Sequence, residues 1–229
     1  MKKKFKFLTN SVLALIILGV LGFSVLSRPV ATSAASATPI RRGADPTKVS
    51  IMFNVYQGTE YLDEILDILE RKNAKTTFFV GGTWAEKNPS ALKELALKGH
   101  EIGNHGFFHR DHAKLSATEN VREISACHNL VKELTGKTMN LFAPPSGSYS
   151  LNTLDIAKEM GYNTIMWSKD TIDWRDKDVS TLIKRATKDL KGGDLILMHP
   201  TSQSAKALET IVEKIYGSGL SIAPVSEII

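Results

Sequence analysis

Short apolar runs alternate with longer amphipathic stretches along most of the chain after residue 48. The apolar runs predict β-strands at residues 49–55, 76–80, around 102, 139–143, 163–167, 194–198 and 220–223. The stretches between them predict helices near residues 62–69, 83–97, 117–134, 151–160, 180–190 and 204–216. Repeated strand–helix units imply parallel strands joined by right-handed crossovers, so the predicted fold class is α/β.

One predicted helix has both a start signal and an informative face. Ser116 and Glu119 have the spacing of a capping box at its start. Its apolar row carries Cys127, the only cysteine of the chain. A single cysteine excludes an intramolecular disulfide, and its position predicts a buried small hydrophobe rather than a reactive thiol.

The N-terminal segment has the layout of an export signal. Basic residues at positions 2–6 precede an uncharged apolar run at 11–27, and A-S-A at 35–37 offers a cleavage site. The run approaches the ~18 apolar residues of a membrane span, so an uncleaved anchor is the alternative. We therefore expect a signal peptide or N-terminal membrane anchor at 1–37, a linker at 38–48 and one domain at 49–229. The domain is expected outside the cytoplasm, secreted or membrane-anchored at the cell envelope.

The positive charge of the chain belongs to this segment. The formal net charge is +5, from 29 lysines and arginines against 24 acids. Five of the basic residues and none of the acids lie before residue 38, so the predicted domain is near neutral. The basic pI therefore does not indicate a nucleic-acid partner, and the membrane is expected as a partner only through the N-terminal segment.

The stretch G-H-E-I-G-N-H-G-F-F-H at residues 99–109 carries the strongest chemical signal. His105 and His109 are four positions apart, and two neutral imidazoles at this spacing can share an ion such as Zn²⁺. A bare H-x-x-x-H is such a short pattern that two surface-loop histidines making ordinary hydrogen bonds would be the better explanation. The flanking residues favour the metal motif, because the whole stretch resembles that of the polysaccharide deacetylases, the NodB-homology family of carbohydrate esterases.

Four other family motifs occur in order, two of them altered. The family strand that ends in T-F-D-D-G reads M-F-N-V-Y here, with Asn54 at the catalytic base and Val55 at the metal carboxylate. R-P-P-Y-G reads A-P-P-S-G, with Ala143 in place of the arginine that holds the base. The motifs at residues 170–174 and 194–199 are kept.

The resemblance implies an irregular (β/α) barrel of about seven strands, NodB-homology type, with its site at the C-terminal strand ends. The resemblance implies that His105 and His109 are metal ligands and that His199 is the general acid. It implies that Asp173, or Asp170 as the fallback, is the carboxylate that orients His199. Trp174 and Leu197 would form the walls of the acetyl pocket, and Pro144 and Ser146 would belong to a substrate-binding oxyanion loop.

The substitutions predict an impaired site. The amide of Asn54 does not titrate, and losing a general base typically costs about 10²–10⁴-fold in rate. Val55 offers no donor atom, so zinc or another divalent metal is expected to be weakly bound or absent. Asp111 and His112 are the nearby candidates for a substitute ligand. The family's arginine is replaced by Ala143 and its base by Asn54, so a charged pair becomes a neutral one.

Three functions follow from these motifs. The first is a deacetylase-like protein that hydrolyses N-acetyl groups of an envelope glycan, such as peptidoglycan or a chitin-like oligomer, with severely impaired catalysis. The second is a non-catalytic glycan-binding or scaffold protein on the same fold. The third is a hydrolase with a rewired site for another acylated substrate. In each case we expect a monomer.

Overall fold

A computed structural model describes residues 37–229 as one compact unit, and the predicted signal or anchor segment lies outside this range apart from its last residue. The strands are β1 Lys48–Val55, β2 Thr77–Val80, β3 Glu101–Asn104, β4 Leu141–Phe142, β5 Asn163–Thr164, β6 Lys169–Asp170, β7 Leu195–Met198 and β8 Ser221–Ile222. The helices are α1 Leu62–Arg71, α2 Gly82–Lys87, α3 Pro89–Leu97, α4 Ala117–Thr135, α5 Leu151–Glu159, α6 Val179–Thr187 and α7 Ser202–Gly217. Single 3₁₀ turns occur at His112–Lys114, Pro145–Gly147 and Val225–Glu227.

The strands form a curled, parallel half-barrel. Seven of them run in the order β5-β4-β3-β2-β1-β7-β6, and β8 pairs with the start of β1. In the centre, Met52 of β1 lies opposite Thr77 of β2 and Leu197 of β7. The prediction of an irregular α/β barrel of about seven strands is confirmed. Because the strands are parallel, their C-terminal ends meet at one edge.

Side chains of β1 alternate between two apolar layers. Ile51, Phe53 and Val55 are buried in the large outer layer between the sheet and the helices. Met52 belongs to the smaller layer inside the barrel. By this alternation Asn54 follows Met52 on the inner face, and Val55 is directed away from it.

Several boundaries differ from the sequence expectations. The helix expected at 83–97 is two helices, because Pro89 lacks an N–H and begins a new helix after Asn88. Strand β6 was not predicted, since its two residues are polar and carry no apolar period. The capping box of Ser116 and Glu119 is present at the start of α4.

Cys127 on α4 is buried, as expected, and burial raises the pKa of its thiol to about 12. The thiol is therefore neutral and inaccessible in the folded domain.

The segment expected to be a linker at 38–48 is packed against the barrel. Ile40 bridges to Ile165, and the guanidinium of Arg42 is 2.7 Å from the buried carboxylate of Asp194. The N–H of Gly43 donates to the carbonyl of Gly193 at 2.8 Å. These contacts tie the segment to the folded unit rather than leaving it as a free spacer.

Within residues 37–229, no helix has both the length and the apolar character needed to cross a membrane.

Candidate active site

A cavity of about 400 Å³ opens at the C-terminal edge of the half-barrel. Its lining residues are Asn54, Tyr56, His105, His109, Ser146, Trp167, Asp170, Trp174, Leu197 and His199. The fold thus brings together residues from five separate parts of the sequence. Most of the residues singled out from the sequence are in this wall, and Pro144 is not.

His199 and Asp173 form a hydrogen-bonded pair at the cavity. Nδ1 of His199 is 2.8 Å from Oδ1 of Asp173, and the backbone N–H of His199 donates to Oδ2 at 2.6 Å. The hydroxyl of Ser204, at the start of α7, also donates to Oδ2. Asp173 is only 1% exposed, so three donors hold one buried carboxylate behind the ring. With Nδ1 directed to Asp173, the other ring nitrogen of His199 is the one available to the cavity.

His105 follows β3 and is fully buried. Its Nδ1 lies 2.7 Å from the carbonyl oxygen of Ala143, which only accepts, so Nδ1 carries the proton. Nε2 is therefore a lone-pair acceptor, and it has no hydrogen-bond partner in the described part of the chain. Burial lowers the pKa of His105 to about 3, so the ring is neutral at neutral pH. A neutral imidazole with one nitrogen anchored and the other free has the arrangement of a metal ligand.

His109 lies on a turn near His105 rather than on a helix. Gly106 and His109 both have positive φ, at 71° and 54°, and this turn returns the second ring toward the first. The two ring centroids are 5.1 Å apart. Burial lowers the pKa of His109 as well. Two neutral imidazoles therefore lie close together in an edge-to-face arrangement.

Tyr56 places an aromatic ring close to both of these histidines and to His199. Its ring centroid is 3.8 Å from that of His109 with an interplanar angle of 26°, which is a face-to-face stack. The same ring is 6.0 Å from His105 and 6.3 Å from His199. Three imidazoles therefore surround one phenol ring, whose own pKa is raised by burial.

The ends of β1 and β4 carry the altered motifs. Asn54 is in the cavity wall, 4% exposed, and its Oδ1 has no partner among the described residues. Val55 is fully buried in the outer layer and is not in the cavity wall. Ala143 is buried in the inner layer, so no cation faces Asn54 from this position. The charged pair of the family motif is replaced by one neutral amide.

The loop after β4 supplies part of the remaining wall. Ser146 lines the cavity with positive φ, at 55°. Pro144 precedes the 3₁₀ turn and shapes this loop from outside the lining. Across the cavity, Leu197 is buried while the indole of Trp174 is 60% exposed at the rim. This wall therefore combines a buried apolar side chain with an exposed aromatic face.

The donor set does not fit a tightly held divalent metal. His105 and His109 offer two neutral nitrogens, but Val55 turns away and Asn54 is uncharged. No group of three histidine, cysteine, aspartate or glutamate side chains that could hold an ion is found within residues 37–229. A structural zinc site has four protein ligands and a catalytic one has three.

Neither suggested substitute ligand reaches the pair. Asp111 accepts from the hydroxyl of Ser148 and is 2.9 Å from the ammonium of Lys114. Nδ1 of His112 is 2.7 Å from the side chain of Asn120. Neither residue lines the cavity.

Three residues of this site were not singled out from the sequence. Tyr56 could have been found, because a strand's period of two places it on the same face as Asn54. Trp167 ends a predicted strand, where such barrels carry their chemistry. Ser204 offered no signal, because its contact with Asp173 joins segments that are distant in sequence.

A model of the polysaccharide deacetylase family matches residues 41–165, and the chain belongs to this family. Members of carbohydrate esterase family 4 (CE4), to which its structural relatives belong, are generally metal-dependent hydrolases.

Two relatives in sequence are an uncharacterized protein and a peptidoglycan deacetylase. The chain is 37% identical to the uncharacterized protein YlxY of Bacillus subtilis, over 83% of this chain and 60% of that protein's length. It is 32% identical to a peptidoglycan-N-acetylglucosamine deacetylase of Bacillus cereus, over 75% of this chain and 64% of that one.

The crystal structure of BA3943, a CE4 pseudoenzyme from Bacillus anthracis, superposes with a TM-score of 0.82 at 34% identity, covering 86% of this chain and 70% of that one. A mutant of BA3943 described as having restored enzymatic activity has the same TM-score at 32% identity, covering 86% and 72%.

Proposed function

We propose that this chain is a polysaccharide deacetylase-like protein that acts on an N-acetylated glycan of the cell envelope, with severely impaired N-acetyl hydrolysis. The observation that carries this proposal is that one cavity keeps some groups of the family site and lacks others. The His199–Asp173 pair is hydrogen-bonded, while Asn54 and Val55 leave the base position and the metal-carboxylate position of the family motif without a carboxylate. The peptidoglycan deacetylases among its relatives support the substrate class.

The surviving half of the site has a defined chemical role. Asp173 accepts from Nδ1 of His199, so the ring's other nitrogen can give a proton to the nitrogen of a departing amine. At the base position of the family motif no group can activate the attacking water, because Asn54 cannot take a proton. We expect a rate loss of at least about 10²–10⁴-fold from this substitution alone. Loss of the metal adds to it, because the ion's contribution to the carbonyl and the water is also missing.

The walls of the cavity support a sugar ligand. Trp174 presents an exposed indole face at the rim, and aromatic faces pack well against the apolar faces of sugar rings. Peptidoglycan and chitin-like oligomers both carry the required acetamido group. Such a ligand requires the domain to be outside the cytoplasm, secreted or held by residues 1–37.

A non-catalytic glycan-binding role is the second candidate. Trp174 is compatible with it, since an exposed indole serves binding whether or not acetate is released. Both candidates share the ligand and differ in turnover, so one pair of measurements separates them.

The test measures binding and acetate release on the same N-acetylglucosamine oligomer. Wild type should bind it, and Trp174→Ala should weaken binding about tenfold, because a stacked aromatic group contributes on the order of 1–3 kcal/mol. Leu97→Ala is the matched control, since Leu97 is 86% exposed on α3 and lines no part of the cavity. Weak acetate release abolished by His199→Ala would support a residual enzyme. Binding without any acetate release would support the binding protein, and no binding would contradict both.

A further inference from the structure

The ring of Tyr56 occupies the middle of the site, where the family motif quoted above has glycine. It is the first residue after β1, and the alternation of the strand turns it to the same face as Asn54. Four residues line both the 400 Å³ cavity and a neighbouring cavity of about 450 Å³, and Tyr56 is one of them. The ring is therefore part of the wall between two spaces that adjoin the site.

The histidine pair retains a separation suited to a shared ion. Two imidazoles that bind one tetrahedral zinc at about 2.0–2.1 Å have ring centres about 5 Å apart. The rings of His105 and His109 are 5.1 Å apart, and Nε2 of His105 is buried with no partner in the described part of the chain. The separation of the two rings is therefore not what prevents this pair from binding an ion.

The Tyr56 ring is in van der Waals contact with one member of the pair. A centroid distance of 3.8 Å between stacked faces leaves no space for an atom between Tyr56 and His109. The ring also approaches His105 and His199 to within 6.3 Å. The ring therefore takes up space beside the pair and the acid that an ion held by the pair, with its water and substrate, would need.

We propose that Tyr56 closes the two-histidine site, so that its ring, as well as the missing carboxylate, excludes a divalent ion and divides the cleft in two. The proposal rests on the proposed function only in taking the pair as the family's metal ligands. Tyr56 acts here as a positioning residue, because it holds His109 against its face and lies beside His105, whose Nε2 is buried. A smaller side chain should open the pair and join the two cavities.

Zinc titration by calorimetry of the untagged protein tests this without any glycan. Wild type and Tyr56→Phe, which keeps the ring, should bind Zn²⁺ equally weakly. Tyr56→Ala should bind at least about tenfold more tightly. This gain is expected if, in wild type, the arrangement with the Tyr56 ring moved away from the histidine pair is populated at 10% or less. Adding His109→Ala to Tyr56→Ala should remove the gain. Tyr216→Ala is the control, since Tyr216 is on α7 and lines neither cavity.

Two results would overturn the proposal. Equal zinc affinity of wild type and Tyr56→Ala would show that the ring does not limit access. A Tyr56→Phe variant that behaves as Tyr56→Ala would show that the hydroxyl, rather than the ring, matters.

A second readout does not depend on metal or on the alanine variant being stable. The stack predicts ring-current shifts of the His109 ring protons by NMR in wild type and Tyr56→Phe, and their absence in Tyr56→Ser. Unshifted protons in wild type would contradict the stack. None of these results depends on acetate release, so their failure is distinguishable from failure of the proposed function.

Discussion

Asp173→Ala should be among the most destabilising substitutions in the site. The buried carboxylate accepts from the backbone N–H of His199, from its Nδ1 and from the hydroxyl of Ser204. Alanine leaves these donors without an acceptor, and each buried unsatisfied group costs about 1–3 kcal/mol. Removing one partner of a buried, bonded carboxylate pair typically costs about 3–5 kcal/mol in total.

The expected cost corresponds to a clear change in Tm. For a domain of this size, each kcal/mol lowers Tm by about 2–4 °C, so Asp173→Ala should lower it by about 6–20 °C. Ser204→Ala removes a single donor and should cost about 1 kcal/mol. Asp176→Ala is the matched control, because this partly exposed aspartate of the same loop pairs with Arg175 and Arg185 near the surface. Thermal denaturation followed by circular dichroism measures all three. The reasoning fails if Asp173→Ala costs no more than Ser204→Ala.

Three further results are expected. Wild type should retain well under one equivalent of zinc on dialysis. Asn54→Asp with Val55→Asp should gain zinc and partial acetate release if the carboxylate at position 55, the last residue of β1, turns from the outer layer towards the histidine pair. Ala143→Arg should then raise kcat, because the base acts in the transition state. A double variant that stays metal-free would show that residue 55 keeps its outward direction. His105 has a folded-state pKa of about 3, below its ordinary 6.5, so the unfolded chain takes up a proton first and stability should fall as pH drops from 6.5 towards 3. Chemical denaturation across this range should show a shallower loss for His105→Gln; equal slopes would contradict the assignment. A fragment that begins at residue 38 should bind neither DNA nor RNA, and micromolar, salt-sensitive binding in a filter assay would contradict this.

The sequence was sufficient for the elements whose signals are local. The apolar run of β1 and the capping box of α4 both appear in the structure within a residue of their expected places. The break before Pro89 was also visible in the sequence, although the apolar period across it favoured one helix. The β6 strand was missed because Lys169 and Asp170 form it through long-range pairing with β7 alone.

The candidate site was predictable as a set of motifs and not as a geometry. Motif order is enough to place His105, His109 and His199 at one edge of a parallel barrel. The direction of Val55 and the stack of Tyr56 on His109 depend on tertiary packing between loops. The packing of residues 38–48 was not predictable for the same reason, since the contact of Arg42 with Asp194 joins distant parts of the chain.

Acetate release from an N-acetylglucosamine oligomer by wild type, with zinc supplied, tests the central claim most directly. A catalytically competent relative, such as the peptidoglycan-N-acetylglucosamine deacetylase of Bacillus cereus, should be assayed beside it. We expect wild type to be slower by at least about 10²–10⁴-fold, because Asn54 supplies no base and the histidine pair lacks a carboxylate partner. A wild-type rate within tenfold of that enzyme would contradict the impaired site and would require another residue to act as the base.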